Sequence, residues 1–155
     1  MVQVVLVNPE IPPNTGSIAR TCAATQTELH LIAPLGFEIS DRYLKRAGLD
    51  YWPYVKLHYH EDLSAFWQEH SKRGGRLIAF SARVNQNYLE TQYQDNDWLL
   101  FGKETAGLPT EVTDICDEKV RITINEPNVR SLNLSVSVAI GLFEAIRQTQ
   151  GISFN

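Results

Sequence analysis

The stretch that decides the fold is residues 98–109, WLLFGKETAGLP. Its first four residues are apolar, and a short apolar run that closes on glycine is typical of a buried strand followed by a loop. The loop contains two glycines, Gly102 and Gly107, and a single acid, Glu104. Because ligands of parallel α/β sheets bind at the carboxyl ends of strands, this is a candidate binding loop. An ordinary strand–loop–helix corner would fit the same residues.

Outward from this stretch, short apolar runs alternate with helical segments along the whole chain. The apolar runs predict strands at residues 2–7, 29–32, 55–59, 77–80, 98–101 and 120–124. Polar caps and apolar stripes predict helices at residues 14–25, 40–47, 60–73, 110–116 and 131–148. The prolines at positions 9, 12 and 13 predict a rigid loop after the first strand. The alternation predicts an α/β fold with a parallel sheet and helices on both faces.

The composition is that of an ordinary globular chain. It has 155 residues, of which 21% are charged and 43% hydrophobic, and its net charge is -4. This length suits one domain better than two. The negative net charge argues against a protein that coats nucleic acid without specificity, so any such contact would need a local basic patch.

Neither a disulfide framework nor a metal site is predicted. The two cysteines, Cys22 and Cys116, lie in apolar helical contexts and are expected to be buried free thiols. His58 and His60 share one strand face, as a metal pair would, but no third ligand is evident in the sequence and no metal is expected. A signal peptide begins with a basic region, and no basic residue precedes Arg20. The longest apolar run is too short to span a membrane, so the cytoplasm is the expected compartment.

Two further motifs accompany the loop of residues 102–109. The first is Asn14-x-Gly16-x-x-x-Arg20, in which Arg20 falls just over one helical turn beyond Gly16. The second is SLNLS at residues 131–135, where polar and apolar residues alternate as a loop becomes a helix. Taken separately, Arg20 could be a solvated surface arginine, and Ser131 could be a simple N-cap.

In this order and at these separations, the three motifs resemble those of the SPOUT superfamily, specifically the SpoU-type RNA ribose 2′-O-methyltransferases. The matching residues are Asn14, Gly16 and Arg20, then Phe101-Gly102-x-Glu104-x-x-Gly107-Leu108, then the apolar strand around Ile122 with Ser131-Leu132-Asn133-x-Ser135. Residues 9–16 and 46–51 resemble the minimal TrmL branch, which modifies the wobble nucleotide of certain leucine tRNAs. Larger relatives add an RNA-binding extension, whereas here we expect a single domain over residues 1–155.

The resemblance implies a fold, a cofactor and an assembly. The fold would be the SPOUT α/β fold, a single domain with a deep trefoil knot in its C-terminal segment. S-adenosyl-L-methionine would sit in the knot, and the residues expected to bind it are Phe80, Ser81, Gly102, Glu104, Gly107, Ile122, Ile124, Ser131 and Leu132. The family works as a homodimer in which Arg20 of one subunit approaches the cofactor of the other.

The implied activity is methylation of the ribose 2′-hydroxyl at the cytidine or uridine wobble position of a tRNA anticodon stem-loop. The residues expected to be catalytic are Arg20, Asn14, Glu104, Ser131 and Asn133. Since a guanidinium stays protonated in proteins, we expect Arg20 to grip the adjacent phosphate rather than act as a base. The residues expected to bind RNA are Arg20, Arg42, Lys45, Arg46 and Arg130, although residues 42–46 could form only a solvated basic helix face.

Several alternatives stay open at this point. The same chemistry on ribosomal RNA, or a non-catalytic RNA-binding module with the same fold, would also fit the motifs. Many relatives carry a tyrosine where this chain has Phe143, so any contact of that hydroxyl with RNA is missing here. On the last helix, Asn133, Ser137 and Gly141 recur every four residues, and this stripe is expected to face the dimer partner or, alternatively, the chain's own sheet.

Overall fold

A computed structural model describes residues 1–40, 42–47 and 51–151, without the side chains of residues 43, 45 and 47. The strands in these residues are β1 (Gln3–Val7), β2 (Leu29–Ile32), β3 (Leu57–His60), β4 (Leu77–Phe80), β5 (Trp98–Phe101) and β6 (Glu118–Val120). The helices are α1 (Pro12–Ala24), α2 (Arg42–Ala47), α3 (Leu63–Arg73), α4 (Thr110–Ile115) and α5 (Leu134–Gln150), with 3-10 turns at Trp52–Tyr54 and Tyr88–Glu90. The strands form one parallel sheet in the order β3-β2-β1-β5-β4-β6.

The central strand β1 accounts for the parallel, fully covered sheet. All its residues are buried, and so are all residues of its neighbours β2 and β5. Strands that are apolar on both faces fit a sheet covered on both sides. Val4 pairs with Leu29 on one side of β1 and with Leu99 on the other. The strands predicted at residues 29–32, 77–80 and 98–101 are confirmed without any shift.

Helices cover both faces of the sheet, as predicted. On one face, Ile18 of α1 and Leu142 of α5 join the core cluster that includes Leu99. On the other face, Phe66 of α3 and Val112 of α4 pack in a second cluster. Among the described residues, no helix combines the length and the apolar character needed to cross a membrane.

The two cysteines are buried free thiols, as predicted, and they belong to different core clusters on opposite faces of the sheet. Burial raises the pKa of Cys22 and of Cys116 to about 12. A thiol with such a raised pKa stays protonated at neutral pH, so neither cysteine is a ready nucleophile.

The start of α1 differs from the prediction. The helix begins at Pro12, so Pro12 and Pro13 belong to it rather than to a rigid loop, and Asn14 is not its N-cap. The N-cap is Ile11, which makes no side-chain capping hydrogen bond. Proline suits the first helical turn because amide hydrogens there have no acceptor within the helix. The predicted end of the helix near residue 25 is confirmed.

Two predicted boundaries near the C-terminus are also wrong. β6 ends at Val120, and Ile122 and Ile124 lie in a loop rather than in a strand. The alternation of apolar and polar residues there is typical of a strand, but β4, the neighbour that would pair with it, has already ended. The N-cap of α5 is Asn133 rather than Ser131, because the Asn133 carboxamide oxygen accepts from two main-chain amides of the first turn.

Gly141 marks the point where α5 approaches the sheet most closely. A Cβ built on Gly141 would lie 2.7 Å from Cε1 of Phe80 and 3.3 Å from Cζ of Phe101. Only glycine lets the helix backbone come this near to two aromatic rings. The stripe of small residues therefore meets the chain's own sheet at Gly141, and the expectation that Gly141 faces a dimer partner was wrong.

We expect Gly141→Ala to lower the free energy of unfolding by about 1–2 kcal/mol, because the new methyl group overlaps the Phe80 ring. Helix propensity alone has the opposite sign and favours alanine over glycine by about 1 kcal/mol. Urea unfolding followed by circular dichroism measures the difference, and Gly141→Leu should lose more than Gly141→Ala. A Gly141→Leu protein as stable as the parent would contradict the overlap.

Candidate active site

A cavity of about 800 Å³ opens beyond the carboxyl ends of β4 and β5. Its walls come from the loops that follow β1, β4, β5 and β6 and from the start of α5. This volume is typical of small-molecule sites, and its position at the carboxyl ends of the strands is the one expected in an α/β sheet. The wall contains all the residues that the sequence nominated for the cofactor: Phe80, Ser81, Gly102, Glu104, Gly107, Ile122, Ile124, Ser131 and Leu132.

The cavity has an apolar aromatic surface at the ends of two paired strands. Phe80 ends β4, Phe101 ends β5, and the two residues are partners in the sheet register. Their rings stack with centroids 4.6 Å apart and planes inclined by 21°. Both residues line the cavity and are nearly fully buried, so they form its apolar floor.

The loop after β5 folds tightly on itself beside this surface. The main-chain N–H of Gly107 donates to the carbonyl of Lys103 at 2.8 Å. A Cβ on Gly102 would lie 1.9 Å from the main-chain carbonyl carbon of Gly107, so no side chain fits at Gly102. Gly107 has a φ of 69°, which favours glycine, and nothing lies within 4 Å of the position of its missing Cβ. The two glycines shape the loop and leave open space next to its backbone.

The Glu104 carboxylate joins this loop to the loop that follows β1. It accepts hydrogen bonds from the main-chain N–H groups of Glu10 at 2.8 Å and Ile11 at 3.1 Å. In return, the Glu10 carboxylate accepts from the N–H of Thr105 at 3.2 Å and from its hydroxyl at 2.6 Å. These bonds to Thr105 hold the pKa of Glu10 below its usual value. The two loops are therefore locked together by a reciprocal pair of carboxylates.

Asn14 and Asn133 extend this connection to the third motif. The Asn14 side-chain amide donates to Oε1 of Glu104 at 3.5 Å, and the Asn133 side-chain amide donates to Oδ1 of Asn14 at 3.2 Å. The Asn133 oxygen in turn accepts from the N–H of Ser135 at 2.9 Å, at the start of α5. One hydrogen-bonded chain of side chains thus ties all three motifs together at the rim of a single cavity.

The predicted cationic residues are not gathered in one place. Arg130 lines the cavity, whereas Arg20 is exposed on α1 and is not part of the cavity wall. The Arg20 guanidinium donates to Oη of Tyr51 at 3.2 Å and lies over the tyrosine ring, 4.6 Å from its centroid. Arg42 and Arg46 are exposed on α2, which packs against α1. The side chain of Lys45 lies outside the described residues, as do residues 48–50 of the TrmL-like segment.

Two arginines of the cavity wall were missed by the sequence analysis, Arg83 and Arg121. The Arg83 guanidinium donates to the carbonyl of Ala106 at 2.9 Å, which holds it against the loop after β5. Arg121 follows directly after the last residue of β6. Both could have been found from the general rule that residues just beyond the carboxyl ends of parallel strands line ligand sites.

Comparison with known proteins identifies the family. The model of the SpoU rRNA Methylase family matches residues 1–143. The chain belongs to the SpoU methylase family. A Synechocystis protein, provisionally named a tRNA (cytidine(34)-2'-O)-methyltransferase, is 56% identical over 152 residues, which cover 98% of this chain and 99% of the relative. A tRNA (cytidine(34)-2'-O)-methyltransferase from Burkholderia cenocepacia is 44% identical over 149 residues, or 96% of each protein.

Solved structures of the SpoU family share the fold. One, from work on the 2-OH methylation of C/U34 on tRNA, superposes with a TM-score of 0.91 at 49% identity and covers 96% of this chain and 95% of that one. The AdoMet-bound rRNA methyltransferase from Sinorhizobium meliloti superposes with a TM-score of 0.88 at 25% identity, over 98% of this chain but 57% of that chain. These matches confirm the predicted α/β class and SPOUT architecture, while the knot stays a prediction.

Glu104→Gln should loosen the connection between the loops after β1 and β5. A glutamine side chain offers one acceptor oxygen in place of two and turns donors towards the amides of Glu10 and Ile11. We expect the free energy of unfolding to fall by about 1–3 kcal/mol, since two main-chain amides lose hydrogen bonds to a charged acceptor. Hydrogen exchange should also become faster at both amides.

The matched control for Glu104→Gln is Glu111→Gln, which makes the same chemical change on the exposed surface of α4. It should shift the free energy of unfolding by no more than about 0.5 kcal/mol. Equal effects of the two substitutions would show that lost charge, rather than the hydrogen bonds of Glu104, is responsible.

Proposed function

We propose that this protein is an S-adenosyl-L-methionine-dependent methyltransferase that modifies the ribose 2′-hydroxyl of the cytidine or uridine at position 34 of tRNA. The observation that carries the proposal is the convergence of the three motifs on one cavity, joined through Glu104, Asn14 and Asn133. Relatives with 44% and 56% identity over almost their full length carry the name of this activity.

The residues of the cavity fit the cofactor. The stacked rings of Phe80 and Phe101 suit the apolar part of a nucleoside, and the open backbone beside Gly107 allows close approach. Among the described residues, the main-chain N–H groups of Ile122 and Leu132 have no protein acceptor, so they are free to bind a ligand. When bound, S-adenosyl-L-methionine supplies an electrophilic methyl group. The residues that would hold it are Phe80, Ser81, Gly102, Gly107, Ile122, Ile124, Ser131 and Leu132, with Glu104 fixing the loop.

Alignment of the substrate is the main catalytic task of the chain. Methyl transfer is an in-line displacement, so the ribose oxygen must be held opposite the leaving group. Arg20 grips the phosphate next to the target ribose and favours the negative charge that develops on the ribose oxygen. Asn14, Asn133 and Ser131 keep the rim of the cavity in shape around that ribose. A substrate phosphate or a water takes the proton.

The enzyme works as a homodimer in which each Arg20 serves the cavity of the other subunit. This assignment is supported by the exposed position of Arg20, outside the wall of its own cavity. A surface for the partner is available on α5, where Val136 and Phe143 are 47% and 53% exposed. The two residues lie seven apart, on one helix face, and the half-buried Ala139 and Ile140 lie between them. An apolar partner surface accommodates Phe143 without the hydroxyl of a tyrosine.

The tRNA anticodon stem-loop binds across the cationic residues around the cavity. Arg83, Arg121 and Arg130 line it, and α2 adds Arg42 and Arg46 next to the helix that carries Arg20. Phosphate contacts of this kind hold RNA in register, and the shape of a single-stranded loop gives selectivity. Since its substrate is tRNA, the enzyme works in the cytoplasm.

The experiment that tests the proposal supplies purified protein with unmodified tRNA and isotope-labelled S-adenosyl-L-methionine. Mass spectrometry of nuclease fragments should find the label at position 34, and tRNA with a 2′-deoxynucleotide at that position should stay unlabelled. Label in ribosomal RNA but not in tRNA would overturn the substrate and favour the activity named for the Sinorhizobium relative. A failure to bind S-adenosylhomocysteine in calorimetry would overturn the enzyme itself.

Arg20→Lys should lower the methylation rate at saturating cofactor by at least about 100-fold, because a single ammonium cannot replace the planar two-point grip of the guanidinium. Binding of S-adenosylhomocysteine should stay unchanged. Lys72→Arg, a cation exchange on the exposed surface of α3, should leave the rate as it is. Near-normal turnover by Arg20→Lys would rule out the proposed grip.

A complementation assay tests the shared site. Arg20→Ala removes the phosphate grip, and Ile122→Glu places a carboxylate in the cofactor cavity, so each variant alone should be inactive. Mixed in equal amounts and allowed to exchange subunits, they should regain about a quarter of the parent activity, since half of the dimers hold one intact site of two. No recovery, despite exchange seen by native mass spectrometry, would mean that each Arg20 acts within its own subunit.

A further inference from the structure

All four histidines of the chain lie on β2, β3 and α3, and none of them lines the cavity. His30 lies on β2, and its ring stacks on that of His58 on β3 with centroids 4.4 Å apart and planes inclined by 9°. His60, on the same strand, stacks on His30 at 5.2 Å. His70 lies apart on α3, with its ring edge-on to Trp98. The sequence predicted only that His58 and His60 lie together, and the fold places His30 beside them.

The fold also adds a carboxylate, because Glu28 precedes β2 by one residue. Its Oε1 lies 3.5 Å from Nε2 of His58, and its Oε2 lies 3.8 Å from Nε2 of His30. One ligand atom from each of the three residues lies within 4.8 Å of the others. Ligand atoms that share a zinc ion at about 2.0–2.2 Å lie roughly 3–3.5 Å from one another, so side-chain shifts of about 1 Å would complete the site.

We propose that Glu28, His30 and His58 bind one divalent transition-metal ion of the zinc class. Two imidazoles and one carboxylate suit Zn²⁺ or Co²⁺ and do not suit Mg²⁺ or Ca²⁺, which prefer oxygen ligands. The ion would join the edge strand β3 to β2 through a bond to each. Glu28 and His58 have side chains that are 29% and 38% exposed, so an ion can enter and a water can serve as fourth ligand.

A further histidine orients the buried ligand. Nδ1 of His30 lies 2.9 Å from Nε2 of His60, so these two rings are hydrogen-bonded and the other nitrogen of His30 points towards Glu28. Contacts of this kind fix the ring and tautomer of metal-binding histidines.

Two side chains compete with the ion. Nε2 of His30 donates a hydrogen bond to Oε1 of Gln3 at 2.8 Å, so ion binding requires this amide to withdraw. The His30 ring must also take the tautomer with its proton on Nδ1, which then donates to Nε2 of His60. The Arg73 guanidinium forms an ion pair with Oε2 of Glu28, so its positive charge competes with the ion for this carboxylate. Removal of Arg73 should consequently strengthen metal binding, whereas removal of a ligand should weaken it. Adventitious surface binding would not respond with these opposite signs.

The experiment titrates the full-length, chelator-treated protein with Co²⁺ and follows its visible absorption. We expect one equivalent per chain with the intense bands of four-coordinate Co²⁺, displaced by Zn²⁺, and a melting temperature that rises with free Co²⁺. His58→Ala and Glu28→Gln should each weaken binding at least about tenfold, and Arg73→Ala should tighten it. His70→Gln, which can still donate to the carbonyl of Gly75, is the control and should bind as the parent does.

Several outcomes would overturn the site. Absence of saturable Co²⁺ uptake would do so, as would uptake that neither His58→Ala nor Glu28→Gln weakens while circular dichroism shows both variants folded. Weaker binding by Arg73→Ala would contradict the competition for Glu28. A near-ultraviolet thiolate-to-cobalt band would assign the ion to Cys22 or Cys116 instead. The site depends on the β2–β3 edge alone, so each of these results leaves the proposed methyltransferase activity unaffected.

Discussion

The carboxylate of Glu104 is the interaction on which the site depends. It comes from the loop after β5 and reaches amides that are more than ninety positions earlier in the chain. Those amides precede α1, whose N-cap Ile11 has no side-chain acceptor and whose first two residues are prolines without amide hydrogens. A helix N-terminus also carries partial positive charge, which favours a nearby carboxylate. Glu104 thus supplies the acceptors for the two main-chain amides that lead into α1.

Most of the sheet could be predicted because its strands are buried on both faces. Apolar runs such as Leu77–Phe80 and Trp98–Phe101 are typical of strands that are buried on both faces. The wrongly predicted boundaries of α1 and β6 depend on neighbouring segments rather than on the sequence of the helix or strand itself. Pro12 and Pro13 are acceptable in a helix only because they start it, and Ile122 is not in a strand because no strand is left to pair with it. Neither boundary can be predicted from the residues at that boundary alone.

The candidate site was predictable to the extent that it follows the carboxyl ends of strands. That rule nominated the loop after β5, and the resemblance to SpoU-type enzymes implied the other cofactor residues between Phe80 and Leu132 that line the cavity. Contacts between side chains that are distant in sequence could not be predicted. Among them are Glu10 with Thr105, Arg20 with Tyr51, and Glu28 with the histidines of β2 and β3. The close approach of Gly141 to Phe80 belongs with them, since it requires the packing of α5 on β4 and β5.

The polar side chains of the three motifs form most of their hydrogen bonds with one another and with the main chain of the same loops. Both oxygens of Glu104 accept from the protein, as do the side-chain oxygens of Asn14 and Asn133. Groups that remain for a ligand are main-chain amides, the Ser131 hydroxyl and the arginines of the rim. The polar side chains of the motifs therefore act mostly as a scaffold: they hold three loops in a fixed relation and leave the backbone of those loops available to a ligand. Substitutions at Glu104 or Asn14 should be expected to act through loop position, because α1, which carries Arg20, is held in place by the same bonds.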